Sequence, residues 1–394
     1  MVVTGTLFII MTMAIIVPKP YLKRYYTITA FVMGSLYFFA NPISSDLYRH
    51  YQMREAMKSL PLTALFSTKE ANYGNELLDT TITHYQLFAL YTKLLSYLPK
   101  GFFMMGPCLV MYLAPLRFCF EPKLYDTRKW VYVLSYTYYL FSIDYVSLSA
   151  IRNIVTAMLF CLIMYEEIMH KANKVLCFIG YVLLLRIHSY ASLLILTRVL
   201  TMLCELLGKR VKMLIIVFTV SGYTLLTSPL ISNTLGRIEI FSHVINKLTE
   251  YSSYTGTTVN TRRYFMMLMY LIITVLLLLF NKYILRKQDE NEQKVYGEWM
   301  TFLLLEIAYT IGSFAQYDTF IRGGFFIFPA FGVMLRKCLP VIGDAHFGDI
   351  RFTNYAERII HTIMYVGTFS VGLILFAYFA EVGYLWLDNW FSLG

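Results

Sequence analysis

Apolar segments of a length suited to crossing a bilayer constrain this chain more than any other feature. Twelve can be marked, at 2–17, 26–41, 101–116, 130–144, 151–166, 174–186, 189–206, 213–229, 264–281, 298–314, 320–335 and 359–380. The sequence is 58% hydrophobic and only 15% charged, too little charge to cover a soluble protein of 394 residues. We therefore predict an all-α, polytopic integral membrane protein with about 12 transmembrane helices, forming a single membrane domain over 1–394.

Positive charges alternate between successive connections, and this alternation predicts an orientation. With the N-terminus outside, the inward connections hold 20 Lys and Arg residues and the outward side holds 13, of which 10 lie in two long loops. These loops cover about 42–100 and 230–263. Long loops follow the positive-inside rule poorly, so the short connections are strongly asymmetric and both termini are expected outside.

The stretch 82–98 is also apolar, but four polar residues interrupt it: Thr83, His84, Gln86 and Lys93. We predict a re-entrant or interfacial helix there. A full span would move the basic connection from Arg117 to Lys129 to the outside and destroy the charge pattern.

Several classes of function are disfavoured. The net charge of +10 comes from basic residues scattered singly through short loops, so we expect contact with anionic membrane lipid and not with nucleic acid. Six cysteines lack C-x-x-C spacing, which argues against a disulfide framework and a zinc site. We found no nucleotide-binding loop and no metal-ligand spacing, and we expect no metal and no cofactor.

Arginines on the predicted outer side break the charge rule and are candidates for function: Arg49, Arg54, Arg152, Arg186, Arg262, Arg263 and Arg322. Arg152 and Asn153 open an apolar helix. Arg152 is either an interfacial anchor whose side chain extends outward or part of a clamp for a diphosphate or carboxylate, because guanidinium is a planar, bidentate donor.

Two further outward junctions carry an arginine. Arg186 precedes His188, whose imidazole is either a buried, hydrogen-bonded group or an acid or base near neutral pH. Arg322 follows Tyr317 and Asp318; the four-residue spacing allows Asp318 and Arg322 to pair with each other or to act on a ligand. Gly323 and Gly324 then leave room for a ligand or a neighbouring backbone.

The first outer loop combines a carboxylate, aromatic rings and a cation in Asp46, Tyr48, Arg49 and Tyr51. Such a mixture suits a sugar, whose hydroxyl groups bond to carboxylates and whose rings stack on aromatic faces. Two further charges, Arg198 and Glu306, fall near mid-membrane. We predict that they form a buried ion pair that serves stability.

These outward residues resemble the Wzy-type bacterial polysaccharide polymerases, in particular their EpsG-like branch. The resemblance spans roughly 40–335 and rests on order and spacing: Asp46 with Tyr48 and Tyr51, then Arg152-Asn153, then His188-Ser189-Tyr190-Ala191, then Tyr317-Asp318 and Arg322. After the first loop the family tends to have Glu-Pro-Gly-aromatic, whereas this chain has Thr83-His84-Tyr85-Gln86.

The resemblance implies a glycosyltransferase at the outer face of the inner membrane. It would transfer a growing glycan from undecaprenyl diphosphate to the non-reducing end of a lipid-linked repeat unit. The expected partners are undecaprenyl-diphosphate-linked oligosaccharide, membrane lipid and a chain-length regulator protein. Arg152, Arg186 and Arg322 would hold the diphosphate, and either His188 or Asp46 would be the base.

Two alternatives stay open. An O-antigen ligase uses the same lipid carrier, but it usually has one dominant outer loop late in the chain. A transporter or flippase of lipid-linked oligosaccharides would distribute charge along a central passage, whereas here the outward charges collect at one edge.

Overall fold

The computed structural model describes residues 13–40, 46–66, 76–126, 128–142, 150–222, 261–314, 316–347 and 362–368, with isolated positions beside them. Within these ranges every regular element is a helix and no strand occurs. The prediction of an all-α protein is confirmed for this part of the chain. Almost all of the predicted 230–263 loop lies outside it.

Helical residues lie at 13–16 and 362–368, and thirteen further α-helices of the described ranges have defined bounds. They are α1 (Leu22–Leu36), α2 (Asp46–Ser59), α3 (Glu76–His84), α4 (Gln86–Leu95), α5 (Gly101–Cys119), α6 (Lys129–Ser142), α7 (Ile151–His170), α8 (Lys174–Leu185), α9 (Tyr190–Leu206), α10 (Lys209–Thr219), α11 (Thr261–Tyr283), α12 (Glu290–Gly312) and α13 (Tyr317–Phe347).

Three helical stretches of the described chain are long and apolar enough to cross a membrane: Gly101–Cys119, Arg263–Lys287 and Thr319–Ile342. Other predicted spans are helices that are shorter, such as the 14 residues of α6, or that carry more charge, such as α7. Helix α4 has 10 residues and rises about 15 Å, roughly half the thickness of a bilayer core.

The chain divides into two compact units. The first comprises Met1–Ile163, Lys174–His188 and Leu375–Gly394. In this unit α1 packs against α5 so closely that a Cβ on Gly34 would lie 2.8 Å from Leu109 Cδ2. A residue larger than glycine would therefore not fit at this position.

Helices α2 and α4 of this unit stabilise each other's C-terminal ends. The buried Arg54 of α2 donates from Nε to the Leu95 carbonyl at 3.1 Å and also bonds to the carbonyls of the next turn. In return, Lys93 Nζ of α4 donates to the carbonyls of Met57 and Lys58, at 2.9 and 3.2 Å. Carbonyls at a helix C-terminus lack partners within the helix and carry partial negative charge, so buried cations are favourable there.

The second unit comprises Met164–Asn173 and Ser189–Ile374. Its central helix is α12, which packs against α9, α10, α11 and α13. Every residue of α12 from Trp299 to Thr310 is buried, as expected of a helix that is enclosed on all sides. A Cβ on Gly323 of α13 would clash with the Thr310 hydroxyl group, so the space beside this glycine is taken by α12.

The predicted ion pair between Arg198 and Glu306 is wrong. Arg198 Nη2 lies 2.7 Å from both Glu167 Oε1 and Glu298 Oε1. Glu306 instead accepts hydrogen bonds from the hydroxyl groups of Tyr190, at 2.9 Å, and Thr197, at 3.0 Å. The sequence predicted a similar membrane depth for Arg198 and Glu306, but it does not specify which way each side chain points around its helix axis.

Candidate functional site

The site is built around a break between two helices. Helix α3 ends at His84, α4 begins at Gln86, and Tyr85 between them has φ −122° and ψ 55°. No side chain caps the start of α4. The backbone N–H groups of Leu87 and Phe88 instead donate to the Arg186 carbonyl, at 3.1 and 3.3 Å. The α8–α9 junction is thereby fastened to the first turn of α4, whose N–H groups need a partner.

Arg152 and His188 both contact Tyr85. The Arg152 guanidinium lies 4.9 Å from the centre of the Tyr85 ring and 5.5 Å from that of Phe88. The His188 imidazole stacks on Tyr85 with ring centres 5.6 Å apart and planes inclined by 4°. Cation–π contact and ring stacking thus hold the two polar groups against one buried tyrosine.

Arg186 completes this group through its side chain. Its Nη1 donates to Gln86 Oε1 at 3.1 Å, and the arginine itself is exposed. Partial burial of His84, and then the positive charge of Arg186, lowers the pKa of His84. The structure therefore gathers Arg152, Arg186 and His188 around residues 85–88, which we call the aromatic turn.

His50 borders the aromatic turn and is only 3% exposed. Its ring meets Phe88 edge to face, with centres 5.4 Å apart at 71°. Burial, then the positive charges of Arg152 and Arg49, lower the pKa of His50 to about 3, so the imidazole is neutral at physiological pH. Its Nδ1 is buried and has no hydrogen-bond partner.

The remaining first-loop candidates lie on α2. Asp46 is the first residue of the helix, but its side chain lies outside the described residues. Tyr48 and Arg49 are exposed. Tyr51 is buried and its hydroxyl donates to the Ala40 carbonyl at 3.1 Å, and burial raises the pKa of that hydroxyl. Tyr51 thus fastens α2 to the residues that follow α1.

Asn153 lies on α7, whereas Tyr317, Asp318 and Arg322 lie on α13. Asn153 follows Arg152 on α7 and is 4% exposed, with a buried Oδ1 that has no hydrogen-bond partner. Arg322 is half-buried on α13 in the second unit. Tyr317 and Asp318 open the same helix, but their side chains are not among those described, so pairing of Asp318 with Arg322 stays a prediction.

The arrangement suits an anion with an attached polar group. Arg152 and His188 pack on the buried ring of Tyr85, and Arg186 hydrogen-bonds the neighbouring Gln86. Burial, and then the positive charge of the nearby arginines, lowers the pKa of both His50 and His84, and those same charges attract an anion. Among the residues that the structure describes, no group of three or more metal-binding side chains occurs, and all six cysteines are buried and free.

Two residues of the group, Tyr85 and Phe88, were not predicted. They carry the contacts with Arg152, although the polar residues of 82–98 predicted only a re-entrant or interfacial helix there. His50 lies within the stretch 46–51 that was predicted to suit a sugar, but it was not singled out. A signal existed in the departure from the polymerase pattern at Thr83-His84-Tyr85-Gln86, because this is the segment that receives Arg152, Arg186 and His188.

Comparison of the chain with known protein families, with curated proteins and with solved structures finds no match.

Proposed function

We propose that the chain is a polysaccharide polymerase of the bacterial inner membrane. In this proposal about twelve helices span the membrane, and the aromatic turn with its arginines faces outward. The enzyme transfers a growing glycan from undecaprenyl diphosphate to a lipid-linked repeat unit. The observation that supports this best is the gathering of Arg152, Arg186 and His188 around residues 85–88.

The arginines would stabilise the leaving group. When the bond between the anomeric carbon and the diphosphate oxygen breaks, negative charge develops on the lipid diphosphate. A guanidinium group offers fixed charge and two parallel donors to such an oxygen pair, and a partly buried setting strengthens the interaction. This proposal is supported by Arg152, which packs against Tyr85, and by Arg186, which is exposed and hydrogen-bonds the neighbouring Gln86.

The acceptor hydroxyl would need a base. Its oxygen forms the new bond to the anomeric carbon, and its proton passes to that base as the lipid diphosphate leaves. His188 is favoured over Asp46 by one observation, because stacking on Tyr85 orients its ring beside Arg152.

Deletion of the gene separates the proposal from its rivals. A polymerase mutant leaves one repeat unit on each acceptor. A flippase mutant loses surface glycan and keeps the lipid-linked unit in the inner leaflet, whereas a ligase mutant makes polymer that stays on the lipid carrier. Either of these last two outcomes would refute the proposal.

Complementation then tests the site. Arg152→Lys and Arg186→Lys keep the charge but lose the bidentate geometry, so we expect short glycan or single repeats at normal protein level. Lys58→Gln changes an exposed cation of α2 and serves as the matched control, with full-length glycan expected.

A further inference from the structure

A buried nitrogen without a hydrogen-bond partner is unusual and expensive. Burial removes its hydrogen bonds to water without replacing them, so the unpartnered Nδ1 of His50 calls for an explanation. A leucine or phenylalanine would fill the same place beside Phe88 and Phe103 without that cost. Where a fold keeps a destabilising polar group, the group often serves a ligand.

His50 lies beside the residues that contact Arg152. The Phe88 ring carries the Arg152 guanidinium 5.5 Å from its centre and the His50 imidazole 5.4 Å from it. His50 is therefore a neighbour of the predicted diphosphate clamp. Asn153, beside Arg152 in the chain, presents a second buried polar atom with no partner.

We propose that His50 is a sugar-binding residue whose Nδ1 hydrogen-bonds a hydroxyl group of the saccharide attached to the lipid diphosphate. This inference rests on the function proposed above and adds the part of the site that reads the sugar. Because Nδ1 is buried in the free protein, the saccharide would have to displace a neighbouring side chain to reach it.

The chemistry favours a hydroxyl group over a second phosphate. A neutral imidazole contributes no charge to anion binding, and the low pKa of His50 keeps it neutral. A hydroxyl group both donates and accepts, so it satisfies Nδ1 in either tautomer. The flat faces of Phe88 and Tyr85 also suit the apolar face of a sugar ring.

The experiment compares two ligands on purified protein. One is bare undecaprenyl diphosphate, and the other is the lipid-linked repeat unit extracted from cells that lack this chain. We expect His50→Leu to weaken binding of the repeat unit about tenfold, the loss of one hydrogen bond, and to leave binding of the bare lipid unchanged. Without ligand, this variant should melt at the same temperature or higher, because the unpartnered nitrogen is gone.

Controls keep the inference separate from the proposed function. Tyr136→Phe removes another buried polar group of the first unit, a hydroxyl that bonds to the Tyr112 carbonyl at 3.0 Å, and should lower stability while leaving both affinities intact. If His50→Leu does not fold, His50→Asn and His50→Gln replace it: the Asn amide lies near the place of Nδ1, so only Asn should preserve affinity for the repeat unit.

The outcomes are distinct. Unchanged affinity of His50→Leu for the repeat unit, or equal affinities of the Asn and Gln variants, would overturn the role of His50 alone. Failure of the unaltered protein to bind either lipid would overturn the proposed function itself.

Discussion

Replacement of Lys93 by methionine should destabilise the first unit. Lys93 is 1% exposed and its ammonium group donates to the carbonyls of Met57 and Lys58, at 2.9 and 3.2 Å. Each hydrogen bond to a charged group contributes about 1.5–3 kcal/mol, and part of this offsets the desolvation of the ammonium. We expect a net loss of about 2 kcal/mol, which lowers the melting temperature by roughly 4–8 °C for a unit of this size.

A thiol-reactive fluorophore measures this loss. All six cysteines are buried, so they react only as the detergent-solubilised protein unfolds. Lys58→Met changes an exposed cation in the last turn of the same helix and should leave the melting temperature unchanged. A melting temperature of Lys93→Met equal to that of the unaltered protein would show that desolvation cancels both bonds, and the argument about reciprocal capping would fail.

Three further outcomes are expected. Arg198→Met leaves the carboxylates of Glu167 and Glu298, which each lie 2.7 Å from the arginine, without their cation and should cost about 3–5 kcal/mol of unfolding free energy. Unchanged stability of this variant would show that the two carboxyl groups are neutral. Gly323→Ala should destabilise the protein by about 1–3 kcal/mol, and Thr310→Ala should partly restore stability. Gly222→Ala is the control and should be tolerated, because the nearest neighbour of its Cβ would lie 3.5 Å away. Equal melting temperatures for Gly323→Ala and Gly222→Ala would contradict this packing argument. The pKa of His50 in the folded state is about 3 and lies below its unfolded value of about 6.5, so stability falls as the pH drops below 6.5, by about 2 kcal/mol at pH 5. His50→Asn should therefore lose less stability than the unaltered protein between pH 7 and pH 5. An equal loss of melting temperature in the two proteins would refute the low pKa.

The helical architecture could be predicted because it depends on local sequence. The apolar segment 174–186 became α8 (Lys174–Leu185), and 101–116 became α5 (Gly101–Cys119). For 82–98 the polar residues predicted a re-entrant or interfacial helix. The structure has the short helix α4 (Gln86–Leu95) there, preceded by a break at Tyr85, and its placement at the membrane stays a prediction. Hydrophobic periodicity and composition are sufficient to predict which of these segments form helices.

The contacts of the site could not be predicted because they join distant parts of the chain. The hydrogen bond from Arg186 to Gln86 spans 100 residues, and burial of His50 depends on Phe88 and Phe103. The direction of a side chain around its helix is also decided by packing. Arg198 therefore pairs with Glu167 and Glu298, although the sequence predicted the same membrane depth for Arg198 and Glu306.

Polymerisation by the purified protein tests the central claim most directly. The protein is placed in lipid nanodiscs with lipid-linked repeat unit from cells that lack it, and the products are separated by length. We predict a ladder of glycans from the unaltered protein and from Lys58→Gln, and single repeat units only from Arg152→Lys and His188→Ala. A full ladder from both Arg152→Ala and Arg186→Ala would mean that these arginines only anchor the helices, and no ladder from the unaltered protein would contradict the polymerase itself.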